Sequence, residues 1–94
     1  AISDYTRAIE IDNQYFDAYH SRGIVKGDLG DVYGGISDIT RAIEINPKFA
    51  MAYFNRAILK ERLNDKNGAC KDAKIAKKLG LVDDDPNFVN SFCN

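Results

Sequence analysis

The sequence has no tryptophan, one histidine, one methionine, two prolines and two cysteines among 94 residues. A lone histidine, His20, without a cysteine cluster leaves a zinc site with no set of nitrogen and sulfur ligands, and no cofactor is implied. Cys70 and Cys93 are too few for the disulfide framework of a small secreted domain, so each reads as a free thiol or as half of a single bridge. No run of 18 apolar residues occurs, and the first residues lack the charged start and apolar core of an export signal, so no membrane contact is expected. An excess of either charge is missing too. Thirteen Lys and Arg against fourteen Asp and Glu leave a net charge of -1, without the positive field that tracks phosphates, so no nucleic acid is expected as a partner. The length excludes a large multi-domain enzyme, and 45% hydrophobic residues are enough for a folded chain.

What is present is a repeat. Ile2-Ser3-Asp4-Tyr5-Thr6-Arg7-Ala8-Ile9-Glu10-Ile11 returns 34 residues later as Ile36-Ser37-Asp38-Ile39-Thr40-Arg41-Ala42-Ile43-Glu44-Ile45, with one substitution. The register continues through Ala18-Tyr19 and Ala52-Tyr53, Arg22 and Arg56, Lys26 and Lys60, and Asp31 and Asp65. Ile2, Tyr5, Ala8 and Ile9 recur at helical spacing, and a second stripe of Ala18, Val25 and Leu29 recurs as Ala52, Leu59 and Leu63, interrupted at Arg22 and Arg56. Leu29-Gly30-Asp31 and Leu63-Asn64-Asp65 combine a helix stop with an Asp N-cap, and Asn46-Pro47 closes the helix before it. These signals predict helices near 1–12, 16–29, 32–45, 50–63 and 66–79, with a short one at 86–92, and no strands. Hairpins of this size bury their faces by stacking, which predicts an all-α solenoid.

The unit resembles the tetratricopeptide repeat, in which an aromatic, a large and a small residue are followed by a spaced Ala, aromatic, Ala and Pro. Tyr19, Arg22, Gly23, Gly35, Ile39, Ala42 and Pro47 take those places in one unit, and Tyr53, Arg56, Ala57, Ala69, Ala73 and Ala76 in the next, with Leu81 where proline would stand. The resemblance implies a right-handed solenoid of antiparallel helix-turn-helix repeats, about two and a half of them, forming a single domain over 1–94. Residues 1–15 would be the second helix of a truncated repeat, 16–49 a full repeat, 50–81 a full terminal repeat and 82–94 a capping tail. The exposed face of the first helix would then favour self-association.

The resemblance also implies a protein-protein interaction scaffold that binds a peptide or partner helix in a concave groove, with no catalysis. The alternative is a purely structural spacer or self-association module within a longer repeat protein. Removing the packing stripe leaves Asp17, His20, Ser21, Ile24, Gly27 and Asp28 on one groove helix, and Met51, Phe54, Asn55, Ile58, Glu61 and Arg62 on the next. Phe54 and Ile58 stand four apart with Met51 a turn earlier, an apolar patch flanked by polar groups that suits a peptide anchor. A subset of the family holds a peptide C-terminal carboxylate with Lys, Asn and Arg; here only Asn55 fits that chemistry, so clamp-type recognition is not expected. Asp17, His20 and Ser21 are neighbours on one helix and offer no convergent nucleophile, base and oxyanion site.

Arg22 and Arg56, with Asp4, Asp38 and Asp72 on the other helix type, read as interhelical pairs whose guanidinium stems cover apolar surface. Lys71, Lys74, Lys77 and Lys78 read as a solvated convex face, since no aromatics interleave with them. Asp83-Asp84-Asp85-Pro86 reads as an N-cap with proline at the first helical position, opening a helix whose Phe88, Val89 and Phe92 would cover the last hairpin. Gly68-Ala69-Cys70-Lys71-Asp72 followed by Phe92-Cys93 resembles the ending of bacterial members of the family, which implies a Cys70 to Cys93 disulfide. Localisation is then expected to be cytoplasmic, or periplasmic or secreted if the two are bonded.

Overall fold

The computed structural model describes residues 1–81 and 87–93. Among the described residues it contains six helices and no strand: α1 (Ile2–Ile11), α2 (Phe16–Asp28), α3 (Val32–Ile45), α4 (Ala50–Arg62), α5 (Lys66–Lys78) and α6 (Phe88–Cys93). The proposed N-cap at Asp83 to Pro86 lies outside the described residues.

The helix ends follow from local chemistry. Asp31 accepts a hydrogen bond from the Gly34 amide at 2.9 Å and Asp65 from the Gly68 amide at 3.0 Å, so each hairpin opens its second helix with a side-chain cap. The first helix of each hairpin stops on a left-handed residue, Gly30 at φ 97° and Asn64 at φ 61°. α2 pairs with α3 and α4 with α5 as hairpins, while α1 packs on α2, α3 on α4 and α5 on α6, so each link hands a second helix to the next first helix.

One arginine joins three helices in each repeat. Asp38 on α3 receives both Nε and Nη2 of Arg22 at 2.8 Å, and the Lys26 ammonium lies 3.2 Å away, both from α2. Arg22 Nη1 also donates to Thr6 Oγ1 on α1 at 3.2 Å. Thirty-four residues later the arrangement recurs: Arg56 forks onto Asp72 at 2.8 Å, Lys60 stands at 3.0 Å, and Thr40 accepts from Arg56 at 3.2 Å. Burial alone would push the Asp38 carboxyl up, but the hydrogen bonds and charges of Arg22 and Lys26 outweigh it and hold it below the ordinary carboxylate value.

Helix crossing is close because small residues meet there. A Cβ on Gly35 would stand 2.7 Å from the Gly23 carbonyl oxygen and 2.9 Å from Leu59 Cδ1, and one on Gly23 would stand 2.8 Å from the Gly35 carbonyl oxygen. Ala57 and Ala69, both fully buried, take these places in the second hairpin. Two apolar cores result. One gathers Ile39, Ile43, Ala52, Tyr53, Leu59 and Ala76 between the hairpins, and the other gathers Ala57, Ala69, Ala73, Phe88 and Phe92 under α6. Leu29 departs from its expected place in the apolar stripe: it is the C-cap of α2 and lies 73% exposed, because the chain turns away from the core there.

The crossing yields a stability prediction. Gly35→Leu should lower the urea midpoint by the equivalent of about 3 kcal/mol, at the upper end of overpacking costs, because backbone as well as Leu59 must move. Gly68→Ala, at the capped start of α5, should cost less, since its nearest neighbours are atoms of the movable Asp65 side chain. Equal loss for the two would contradict the assigned crossing.

Candidate partner-binding groove

The first helices α2 and α4 lie side by side, and between them runs a cleft lined by Ile24 and Asp28 of α2 and by Asn55, Ile58, Leu59 and Arg62 of α4, with Ile39 of α3 also contributing. It encloses about 140 Å³. That is below the roughly 300–1,000 Å³ of small-molecule sites, so its scale suits a single side chain of a larger ligand. Arg62 is placed by its Nη1, which donates to the Gly27 carbonyl oxygen of α2 at 3.2 Å and ties the two helices at one end.

His20 ties them at the other. It is buried, and its Nε2 lies 2.9 Å from the Asn55 amide nitrogen, while the ring meets Phe49 edge-on with centroids 4.7 Å apart. With the amide as donor, Nε2 is the acceptor and the imidazole is neutral. Burial lowers the His20 pKa, against the opposing pull of Asp17 and of a hydrogen bond with the Met51 backbone.

The sequence-derived groove residues therefore divide. Ile24, Asn55, Ile58 and Arg62 line the cleft together, with Asp28 beside them. Asp17 and Ser21 do not join them; they line a hollow with Asp4, Tyr5 and Ala8 of α1, on the other side of α2. Met51 is 41% exposed at the start of α4. His20 and Gly27 are corrections to the groove face, because neighbouring first helices approach closely enough to bury both: a Cβ on Gly27 would stand 2.6 Å from Leu59 Cδ2. Phe54 is half-buried, and its ring meets Phe88 and Phe92 of α6 edge-on, both at 6.0 Å between centroids. Ile39 and Leu59 were legible only as core residues, and nothing in their sequence context marks them as part of the cleft lining. Cys70 on α5 and Cys93 on α6 are joined in a disulfide. No group of acidic, His or Cys side chains able to hold a metal occurs among the described residues.

This geometry, helical hairpins stacked so that their first helices border a cleft, defines a helical-repeat solenoid. Residues 39–71 match the family described as Tetratricopeptide repeat. Among solved structures, a crystal structure of MamA superposes with a TM-score of 0.80 at 29% identity, covering 83% of this chain and 46% of MamA. The first TPR of Spaghetti (RPAP3) bound to HSP90 peptide SRMEEVD superposes at 0.89 with 21% identity, covering 97% and 73%. YrrB, a TPR protein with an unusual peptide-binding site, gives 0.87 at 15% identity, covering 99% of this chain and 46% of YrrB. No curated protein matches the chain. Residues 39–71 thus carry a tetratricopeptide repeat within a solenoid of that fold, and the chain spans about half the length of the MamA structure it resembles.

The neutral, buried His20 makes stability depend on pH in a defined direction. Its folded pKa lies below the ordinary 6.5, so its contribution is complete above that value and is lost as pH falls from 6.5 through the folded pKa. Urea midpoints should fall between pH 7.5 and pH 5, and His20→Phe, which copies Phe54 one repeat earlier, should flatten that slope. It is the only histidine, so a slope unchanged in the variant would contradict the assignment.

Proposed function

We propose that this chain is a protein-protein interaction scaffold that takes an extended peptide or a partner helix along the α2 and α4 cleft, with an apolar side chain of the partner seated between Ile24 and Ile58. The observation that carries the reading is that these two isoleucines line an open cleft beside polar groups already held in place, Asn55 by His20 and Arg62 by the Gly27 carbonyl. An apolar anchor with a polar rim is the usual composition of such a surface. Two solved structures of the same fold, at 21% and 15% identity, are described as peptide-bound or peptide-binding, which supports the class of partner and not its sequence.

A binding role without catalysis is supported by the fate of the polar trio on α2, where His20 is engaged by Asn55 while Asp17 and Ser21 line a different hollow. The Cys70 to Cys93 bridge supports an oxidising compartment, periplasmic or secreted, as the place of action. The structural-spacer alternative gains one specific observation, since Phe54, the largest apolar groove candidate, is partly covered from within the chain by Phe88 and Phe92.

Panning a random peptide display library on the 94-residue chain tests the reading. Enriched peptides should share one aliphatic or aromatic anchor, and Ile24→Lys with Ile58→Lys should weaken them by at least about 10-fold while circular dichroism keeps its helical signal. Enrichment of nothing, or peptides that bind the double variant equally well, would remove the groove reading and favour the spacer.

A further inference from the structure

α6 is in register with the repeat. Phe88 falls 34 residues after Phe54, and α6 packs on α5 as α4 packs on α3 and α2 on α1. It therefore occupies the place of a third first helix, six residues long. Its attachments differ from those of α2 and α4 in two respects. The arginine that anchors those helices to a carboxylate is replaced by Asn90. The second difference is the bridge: Cys70 and Cys93 stand 34 residues after Ile36 and Leu59, with the same separation of 23, and in the interior repeat Ile36 packs on the core that contains Leu59. A covalent bond thus replaces an apolar contact at the one first helix that lacks the guanidinium clasp.

Six residues cannot hold helical structure alone in water, so α6 persists through what it docks on. Phe88 and Phe92 are buried against Ala57, Ala69 and Ala73, and both rings meet Phe54. Both bridge residues are only half-buried, within reach of a reductant.

We propose that α6 is a redox-operated latch: the Cys70 to Cys93 disulfide closes it over the end face of α4 and α5, and reduction by a dithiol releases it and uncovers Phe54, Ala57, Ala69 and Ala73. In the opening step one thiolate of the dithiol attacks a bridge sulfur, and the other cysteine leaves as a thiolate and takes a proton. The second thiol of the reductant then resolves the mixed disulfide. Two electrons and two protons pass to the cysteines, and the reductant ends as its own disulfide. Reoxidation reverses the change. The latch does not depend on the groove reading: Ile58 borders both the cleft and the aromatic cluster under α6, but the residues it uncovers, Phe54, Ala57, Ala69 and Ala73, do not line the cleft.

Amide hydrogen exchange on the 94-residue chain, oxidised and treated with dithiothreitol, is the test, with both thiols confirmed by alkylation and mass. Exchange over 88–93 should accelerate on the order of 100-fold on reduction, the scale of the loop-closure constraint removed, while α2 and α3 keep their protection. Cys93→Ser should show the open pattern without reductant. The proposal is overturned if 88–93 changes by less than about 3-fold with both thiols free, which would mean the aromatic contacts suffice. It is equally overturned if α2 and α3 lose protection in parallel, making the bridge a global staple, or if Cys93→Ser stays as protected as the oxidised chain.

Discussion

A carboxylate shared by a guanidinium and an ammonium is the constraint on which the array depends. Asp38 and Asp72 each accept a planar two-point fork from an arginine sixteen residues earlier, and a lysine one turn along the same helix completes the charge balance. A fork of this kind admits few rotations of one helix against another, so it sets register within the hairpin. The remaining arginine donor reaches a threonine of the preceding second helix, Thr6 or Thr40, and extends the register to the next hairpin. A buried ion pair adds little net stability over an apolar replacement, and its contribution here lies in geometry.

That geometry produces the cleft. With each first helix fixed against two second helices, α2 and α4 come to lie next to one another, and the side chains between them divide into those that seal the contact and those that line the opening. His20 and Gly27 seal it; Ile24, Ile58 and Asn55 line it. The bordering residues are held before any partner arrives, which reduces the ordering cost of binding. At the far end α6 takes the place of a further first helix, so the surface that another hairpin would cover is covered by two phenylalanines and a disulfide.

The fold was legible because a 34-residue period repeats its main signals: the Asp31 and Asp65 caps and the small residues at the crossings recur in step, while the Asn46-Pro47 stop occurs once. The groove was legible in part. Assigning faces around a single helix treats every residue outside the packing stripe as open, which suits Ile24 and Ile58 but fails at His20, where the neighbouring first helix brings Asn55 within hydrogen-bonding distance. Phe54 differs again: it stays half-buried, and its contacts with Phe88 and Phe92 come from α6, whose place in the repeat is concealed in the sequence by Asn90 where the other first helices carry arginine.

A double-mutant cycle on Arg56→Met and Asp72→Ala, read by urea unfolding, tests the clasp most directly. The account predicts that the two substitutions are strongly non-additive, with a coupling of about 2 kcal/mol, because either one alone strands a buried charged group beside Lys60 and Thr40. Additivity within about 0.5 kcal/mol would show that the pair does not act as a unit, and the repeat register would then have to rest on apolar packing alone.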